Sequence, residues 1–147
     1  MRLYEYEGKE LFKGMGIPVP ASIKAVNVAE VVAACENMGF PVVVKAQVLS
    51  GGRGKAGLIK VVGTKQEAVA AAEHIMKHLA ANELMLVEEK ITATAEAYIG
   101  FTADDLSGHP IAVISRQGGV DVEQIAAGSG FVVKKSLDPE LKAYKHI

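Results

Sequence analysis

The chain reads PVVVKAQVLSGGRGKAGL from Pro41 to Leu58, and this stretch decides the fold. Its three consecutive valines, 42–44, are β-branched and favour a buried strand. Lys45 follows where the strand should leave the core, and a loop with four glycines and two cations comes after it. Glycines let backbone N–H groups approach phosphate oxygens, and cations supply the opposite charge. The stretch therefore predicts a polyphosphate-binding loop between two strands.

The loop matches neither of the two common phosphate-binding motifs. The P-loop spacing is absent, and the glycines do not open a helix after the strand, as a dinucleotide fingerprint requires. On the residues alone, Lys45 also fits a solvated lysine at a strand end, and Lys55 fits a solvent-facing loop charge. The loop indicates a phosphate site without specifying its ligand.

The composition predicts a globular protein in a reducing compartment. The chain has 147 residues, of which 50% are hydrophobic and 22% charged, enough for one domain or two small lobes. Its net charge of −1 argues against a nucleic-acid or membrane-surface binder. The single cysteine, Cys35, lies in an apolar helical pattern and favours a small core residue over a reactive thiol. With no apolar signal core at the N-terminus, we expect a cytoplasmic location.

Periodicity, capping residues and β-branched runs predict an α+β chain. Asn27 with Glu30 and Thr64 with Glu67 are capping-box patterns that mark two helix starts. The predicted helices are 4–15, 28–38, 65–80 and one starting at Asp138-Pro139; the predicted strands are 22–26, two within 42–62, 84–89, 95–102, 110–116 and 131–136.

The order of these elements favours two lobes with mixed or antiparallel sheets. The first lobe is predicted over residues 21–90. The second is predicted over residues 91–147, with a helix in residues 1–20 packing against it. A nucleotide is expected between the lobes.

Several motifs in order resemble the ATP-grasp domain of the succinyl-CoA synthetase β subunit. They are EYEGKELF at 5–12, GIPVP at 16–20, the central stretch, LVEE at 86–89, EAYIG at 96–100 and GGVDVE at 118–123. The resemblance spans essentially the whole chain. It implies an ATP-grasp fold whose second lobe is truncated at Ile147.

The resemblance implies roles for the central stretch in binding ATP. Lys45 would contact the α- and β-phosphates, which provide its counter-charge. Gly52, Arg53 and Gly54 would form a mobile loop that closes over the triphosphate, with the planar fork of Arg53 on phosphate oxygens.

The nucleoside contacts are implied further along the chain. Glu88, at the end of a strand, and the backbone of Ile91 would meet the adenine edge, and Glu96 would accept hydrogen bonds from the ribose hydroxyls. Glu88 and Glu89 also fit strand-end surface acids, a reading that we favour for Glu89.

No catalytic or metal-binding residue is assigned in this chain. The family's Mg²⁺ ligands lie in sequence beyond Ile147, and its phosphohistidine and CoA site belong to the α subunit. His74 and His78 have metal-ligand spacing on one helix, but without an H-E-x-x-H pattern they favour a solvated face. Leu49-Ser50 and Gln117 depart from the family pattern and weaken any inference about the acid substrate.

We therefore expect the ATP-binding portion of an ADP-forming acyl-CoA synthetase β subunit, succinate-type. The full complex would transfer a phosphoryl group from Mg-ATP through acyl-phosphate and phosphohistidine intermediates, with an α subunit as partner. The portion alone is expected to be inactive and, with an open strand edge, to self-associate. The alternatives are another ATP-grasp ligase, acting on malate, citrate or a carboxylate–amine pair, and a non-catalytic nucleotide-binding half-domain.

Overall fold

A computed structural model describes residues 2–103, 106, 108–116 and the backbone of 132–136. The chain divides into two compact units, Met1–Ile91 and Thr92–Ile147. The first unit contains α1 (Glu5–Gly14), β1 (Ser22–Ala25), α2 (Val28–Met38), β2 (Val42–Gln47), β3 (Ile59–Val62), α3 (Lys65–Met76) and β4 (Leu84–Glu89); the second contains β5 (Tyr98–Ala103), β6 (Pro110–Ser115) and β7 (Val132–Ser136).

The first unit is a four-stranded antiparallel sheet in the order β1-β4-β2-β3. Helices α2 and α3 begin at the predicted caps: the Asn27 side chain accepts the Glu30 N–H at 2.9 Å and the Thr64 hydroxyl accepts the Glu67 N–H at 3.2 Å. Both helices pack on one face of this sheet, and the core lies between them and the strands. Cys35 is fully buried there, as predicted, and burial raises the pKa of its thiol.

Strand β2 alternates between its two faces. Val42, Val44 and Ala46 are at most 1% exposed and belong to the core beneath the helices. Because side chains alternate along a strand, Val43, Lys45 and Gln47 lie on the opposite face. The pairing of Val43 with Glu88 puts Glu88 on that second face too, since residues directly opposite in an antiparallel pair share a face. This alternation brings Lys45 and Glu88 to the same side of the sheet.

The second unit is a three-stranded antiparallel sheet in the order β5-β6-β7. Its three strands lie where strands were predicted, over 95–102, 110–116 and 131–136. The GGVDVE motif at 118–123 and the predicted helix start at Asp138-Pro139 lie outside the described residues. In the part of the chain that the structure describes, no helix has both the length and the apolar character needed to cross a bilayer.

Candidate functional site

Helix α1 is anchored to the sheet face that carries Lys45 and Glu88. The backbone N–H of Tyr6 donates to Gln47 Oε1 at 3.1 Å, and Gln47 is only 1% exposed. This bond fixes the first turn of the helix above β2. The helix was predicted to pack with the second lobe; the structure groups it with the first unit, and its packing with the second stays a prediction.

Five charged residues meet where α1 crosses the sheet, and we call them the charge cluster: Glu5, Lys9, Lys45, Arg53 and Glu88. Lys45 Nζ donates to Glu88 Oε1 at 2.7 Å and to Glu5 Oε1 at 3.0 Å. Lys9 Nζ donates to Glu5 Oε1 at 2.7 Å and also to Glu88 Oε2. The two lysines therefore bridge the same pair of carboxylates.

Arg53 ties the glycine-rich loop to this cluster. Its Nη1 donates to the Ala46 carbonyl at 2.8 Å, and its Nη2 lies 2.8 Å from Glu5 Oε2. Gly52 has a φ of +79°, a conformation that a side chain would strain. A Cβ added at 51, 52 or 54 would meet no described heavy atom within 4 Å, so a ligand can approach the loop backbone closely.

The cluster is largely shielded from water and carries an excess of positive charge. The Glu88 side chain is 7% exposed and that of Lys45 13%. Burial by itself would raise the pKa of Glu5, but the hydrogen bond from Lys9 and the charge of Lys45 outweigh it and lower that pKa to about 2. Burial likewise opposes the charge on Lys9, yet its bonds to both carboxylates raise its pKa. The ion pairs therefore favour the charged forms of Glu5 and Lys9, and the cluster sets three basic side chains against two carboxylates.

A groove of about 670 Å³ lies between α1 and the edge of the sheet. It adjoins the charge cluster because Lys9 belongs to the cluster and also lines the groove. Lys24 lies 4.8 Å from the centre of the Tyr6 ring, and the Glu10 carboxylate is 3.5 Å from its Nζ. The groove combines cations with apolar walls. Its lining residues are Tyr6, Lys9, Glu10, Lys13, Gly16, Ile17, Pro18, Val19, Pro20, Ala21, Ser22, Lys24, Leu86 and Glu89.

The structure brings together only some of the predicted nucleotide-binding residues. Lys45, Arg53 and Glu88 meet in the charge cluster, and Gly52 and Gly54 belong to the loop that Arg53 anchors.

The other two predicted residues are placed differently. Ile91 follows β4 at the end of the first unit and is 59% exposed. Glu96 is exposed and belongs to the second unit, so its part in the site stays a prediction. His74 and His78 are exposed on α3 with ring centroids 5.0 Å apart. The described residues contain no group of three or more His, Cys, Asp or Glu side chains placed to hold a metal ion.

Sequence reasoning missed Glu5, Lys9 and Gln47. Glu5 and Lys9 are spaced i, i+4, so they share one face of a helix, and that spacing was available as a signal. Gln47 could have been assigned to the face of Lys45 from strand alternation alone. Neither signal says that the helix lies over β2.

Comparison with known proteins identifies relatives along the whole chain. A model of the ATP-grasp domain family matches residues 2–146. The ADP-forming succinate–CoA ligase β subunit of Haloarcula marismortui is 44% identical, over 100% of this chain and 37% of that protein. An ADP-forming sulfoacetate–CoA ligase subunit of Bilophila wadsworthia is 39% identical, over 86% of this chain and 34% of that protein. The chain thus spans little more than a third of either relative.

A solved structure has the same fold. It is the dinucleotide forming acetyl-coenzyme A synthetase 1 of Ca. Korarchaeum cryptofilum, in complex with coenzyme A, Ca-AMPCP and HgCl⁺. Its TM-score is 0.74 at 28% identity, covering 97% of this chain and 68% of that one. These findings confirm the resemblance and the ATP-grasp fold expected from the sequence.

Proposed function

The chain belongs to the ATP-grasp domain family, and we propose that its charge cluster binds the triphosphate of ATP. One observation carries the proposal. The two cations predicted to contact phosphate, Lys45 from a strand end and Arg53 from the glycine-rich loop, converge on one anion, the Glu5 carboxylate, at 3.0 and 2.8 Å. Cations that meet at one carboxylate are positioned to meet at one phosphate.

The cluster has the chemistry that a polyphosphate requires. Phosphoryl-transfer sites work mainly by positioning the nucleotide and neutralising its charge. Lys45 and Lys9 supply point charges and Arg53 a planar fork, and the backbone at Gly52 and Gly54 is open to close approach. Lys9 is an addition to the set predicted from the sequence. Glu88 holds both lysines from the rigid strand β4 and so orients them toward the ligand.

For the nucleoside, we propose that the end of β4 and the segment after it contact the base, through Glu88 and the backbone of Ile91. Ile91 is exposed two residues after β4, and Leu86 and Glu89 of that strand line the groove together with Pro18 and Pro20. A partly apolar groove of this size suits a planar base next to a charged phosphate site. The contribution of Glu96 stays a prediction from the sequence.

In the whole protein, we propose that this region is the ATP-binding part of a β subunit of an ADP-forming acyl-CoA ligase. The names of the curated relatives support this class, and succinate is the acid named for the 44% relative. The partner would be an α subunit that carries CoA and the phosphohistidine, and Mg²⁺ would accompany ATP on ligands beyond Ile147. Sulfoacetate is a second candidate acid because the relative at 39% is named for it.

The test compares ATP binding by Lys45→Ala and Arg53→Ala with the wild-type chain in calorimetric titrations. Each loss of a charge-assisted phosphate contact is expected to weaken binding by roughly tenfold or more. Lys65→Ala is the matched control because Lys65 is exposed on α3 and pairs only at the surface with Glu36, at 2.9 Å. Melting curves verify that each variant folds. Wild-type affinity in both site variants would refute the proposal.

A further inference from the structure

We propose that Glu5 is an internal competitor for the triphosphate: its carboxylate occupies the phosphate position in the ligand-free protein and must be displaced when ATP binds. This inference rests on the proposed function. Glu5 would not contact ATP. It would instead set the affinity for ATP by competing for the cations that do contact it.

The first support is the way in which Glu5 is held. Oε1 accepts from Lys9 at 2.7 Å and from Lys45 at 3.0 Å, and Oε2 faces Arg53 at 2.8 Å. Oε1 therefore accepts hydrogen bonds from two lysines and Oε2 forms an ion pair with Arg53, and these are the cations that we propose for phosphate. A carboxylate with this many cationic contacts is a close mimic of a phosphate group.

The second support is that α1 does not depend on Glu5 for its anchorage. The Tyr6 N–H bond to the buried Gln47 fixes the first turn, and Glu7 Oε2 accepts the Tyr4 N–H at 2.8 Å to cap it. The Glu5 side chain is 21% exposed as a whole, but its Oε2 is shielded from water and accepts no hydrogen bond from the described residues, so its contact with Arg53 is an ion pair alone. Its carboxylate can leave the cluster while the helix stays in place.

The third support is the contrast with Glu88, the other carboxylate of the cluster. Glu88 projects from β4, an inner strand of the sheet, and its side chain is 7% exposed. It contacts Lys9 and Lys45, whereas Glu5 also contacts the loop through Arg53. An incoming phosphate therefore gains most by replacing Glu5, since that exchange frees all three cations and releases the loop from α1.

The test is the variant Glu5→Gln, which keeps the shape of the side chain and removes its charge. Calorimetric titrations with ATP, and separately with inorganic tripolyphosphate, are expected to show roughly tenfold tighter binding than the wild type, as removal of a competing charge predicts. The melting temperature is expected to fall, because the three cations lose a partner. A merely structural role for Glu5 would weaken binding and stability together.

Two further variants make the result decisive. Glu36→Gln makes the same change of charge on α2 and also removes an ion pair with a lysine. Because Glu36 is not part of the charge cluster, this variant is expected to leave the affinity for ATP unchanged. Glu5→Asp keeps the charge but draws the carboxylate back from Arg53, so it is expected to give a smaller gain in affinity for ATP. It replaces Glu5→Gln in the test if that variant fails to fold. Equal or weaker binding by the Glu5 variant that folds would overturn the inference.

The outcomes also separate this inference from the proposed function. If the wild type binds ATP, Lys45→Ala abolishes binding and Glu5→Gln gains nothing, only the inference fails. If neither the wild type nor Glu5→Gln binds ATP or tripolyphosphate, both fail. Binding that appears only in Glu5→Gln would support both.

Discussion

Acid should weaken the fold through Glu5 in a way that can be measured. Burial would raise the pKa of this carboxyl, but the hydrogen bond from Lys9 and the charge of Lys45 outweigh it, and the pKa falls from 4.5 to about 2 on folding. A shift of this size corresponds to about 3 kcal/mol of folding free energy. Because the folded pKa lies below the unfolded one, this stabilisation is complete above about pH 5 and is lost as the pH falls towards 2.

The assay is urea denaturation of the wild type and Glu5→Gln at a series of pH values. The difference in unfolding free energy between them is expected to be about 3 kcal/mol at pH 7 and to fall to about 1 kcal/mol near pH 3. It falls because Glu5 is then mostly protonated in the unfolded chain, whereas in the folded chain it stays mostly ionised until the pH approaches 2. For Glu36→Gln, whose ion pair lies at the surface, the loss is expected to be below about 1 kcal/mol. A difference between wild type and Glu5→Gln that does not change with pH would refute the reasoning.

Three other predictions follow from the described contacts. Gly52→Ala is expected to lower the free energy of unfolding in urea by about 1 kcal/mol, because Gly52 has a φ of +79°. Gly54→Ala is the control, since its added Cβ also meets open space. Equal losses of stability in the two variants would contradict the role of backbone conformation. Gln47→Leu leaves the Tyr6 N–H without its acceptor and is expected to speed proteolysis within α1. Gln66→Leu, on the exposed side of α3, is expected to leave the rate of proteolysis unchanged. Unchanged cleavage in Gln47→Leu would show that the bond from Tyr6 to Gln47 does not anchor the helix. Cys35 is fully buried with a raised thiol pKa, so it is expected to react with a thiol reagent only on unfolding, and rapid labelling of the folded protein would contradict its burial.

The parts of the fold that local chemistry decides could be predicted from the sequence. Asn27 and Thr64 are caps whose partners lie three residues away, so helices α2 and α3 begin where the capping boxes place them. The three valines before Lys45 predict β2 for a similar reason, because the pattern of burial along one strand is local. These short-range rules also turn Lys45 to the face opposite the helices.

The end of α3 shows where such local rules fail. The helix was predicted to run to residue 80, since neither glycine nor proline interrupts its sequence, but it ends at Met76. The N–H groups of His78 and Leu79 bond carbonyls three residues back, and Glu83 Oε2 accepts the Ala80 N–H at 2.8 Å. A tightened last turn followed by a capped loop has no strong signature in the sequence.

The composition of the candidate site was even less predictable, because its contacts join distant parts of the chain. The pairs between α1 and the sheet span 40 residues or more, as between Glu5 and Lys45 or between Lys9 and Glu88. Their formation depends on where α1 docks, and the bond that sets this docking, from Tyr6 to Gln47, is itself long-range. The resemblance assigned Lys45 and Arg53 to phosphate, but it did not identify Glu5 as the carboxylate that pairs with them.

That carboxylate resolves a physical difficulty in any empty polyphosphate site. Lys9, Lys45 and Arg53 would repel one another if they faced a shared space with no anion in it, and the repulsion grows where water is largely excluded. Glu88 contacts two of these cations, whereas Glu5 contacts all three. Glu5 of α1 therefore holds the three cations together, and under the proposed function the same contact would lower their affinity for phosphate. Stability of the empty site and strength of nucleotide binding are opposed through one side chain, so a change at Glu5 should move them in opposite directions.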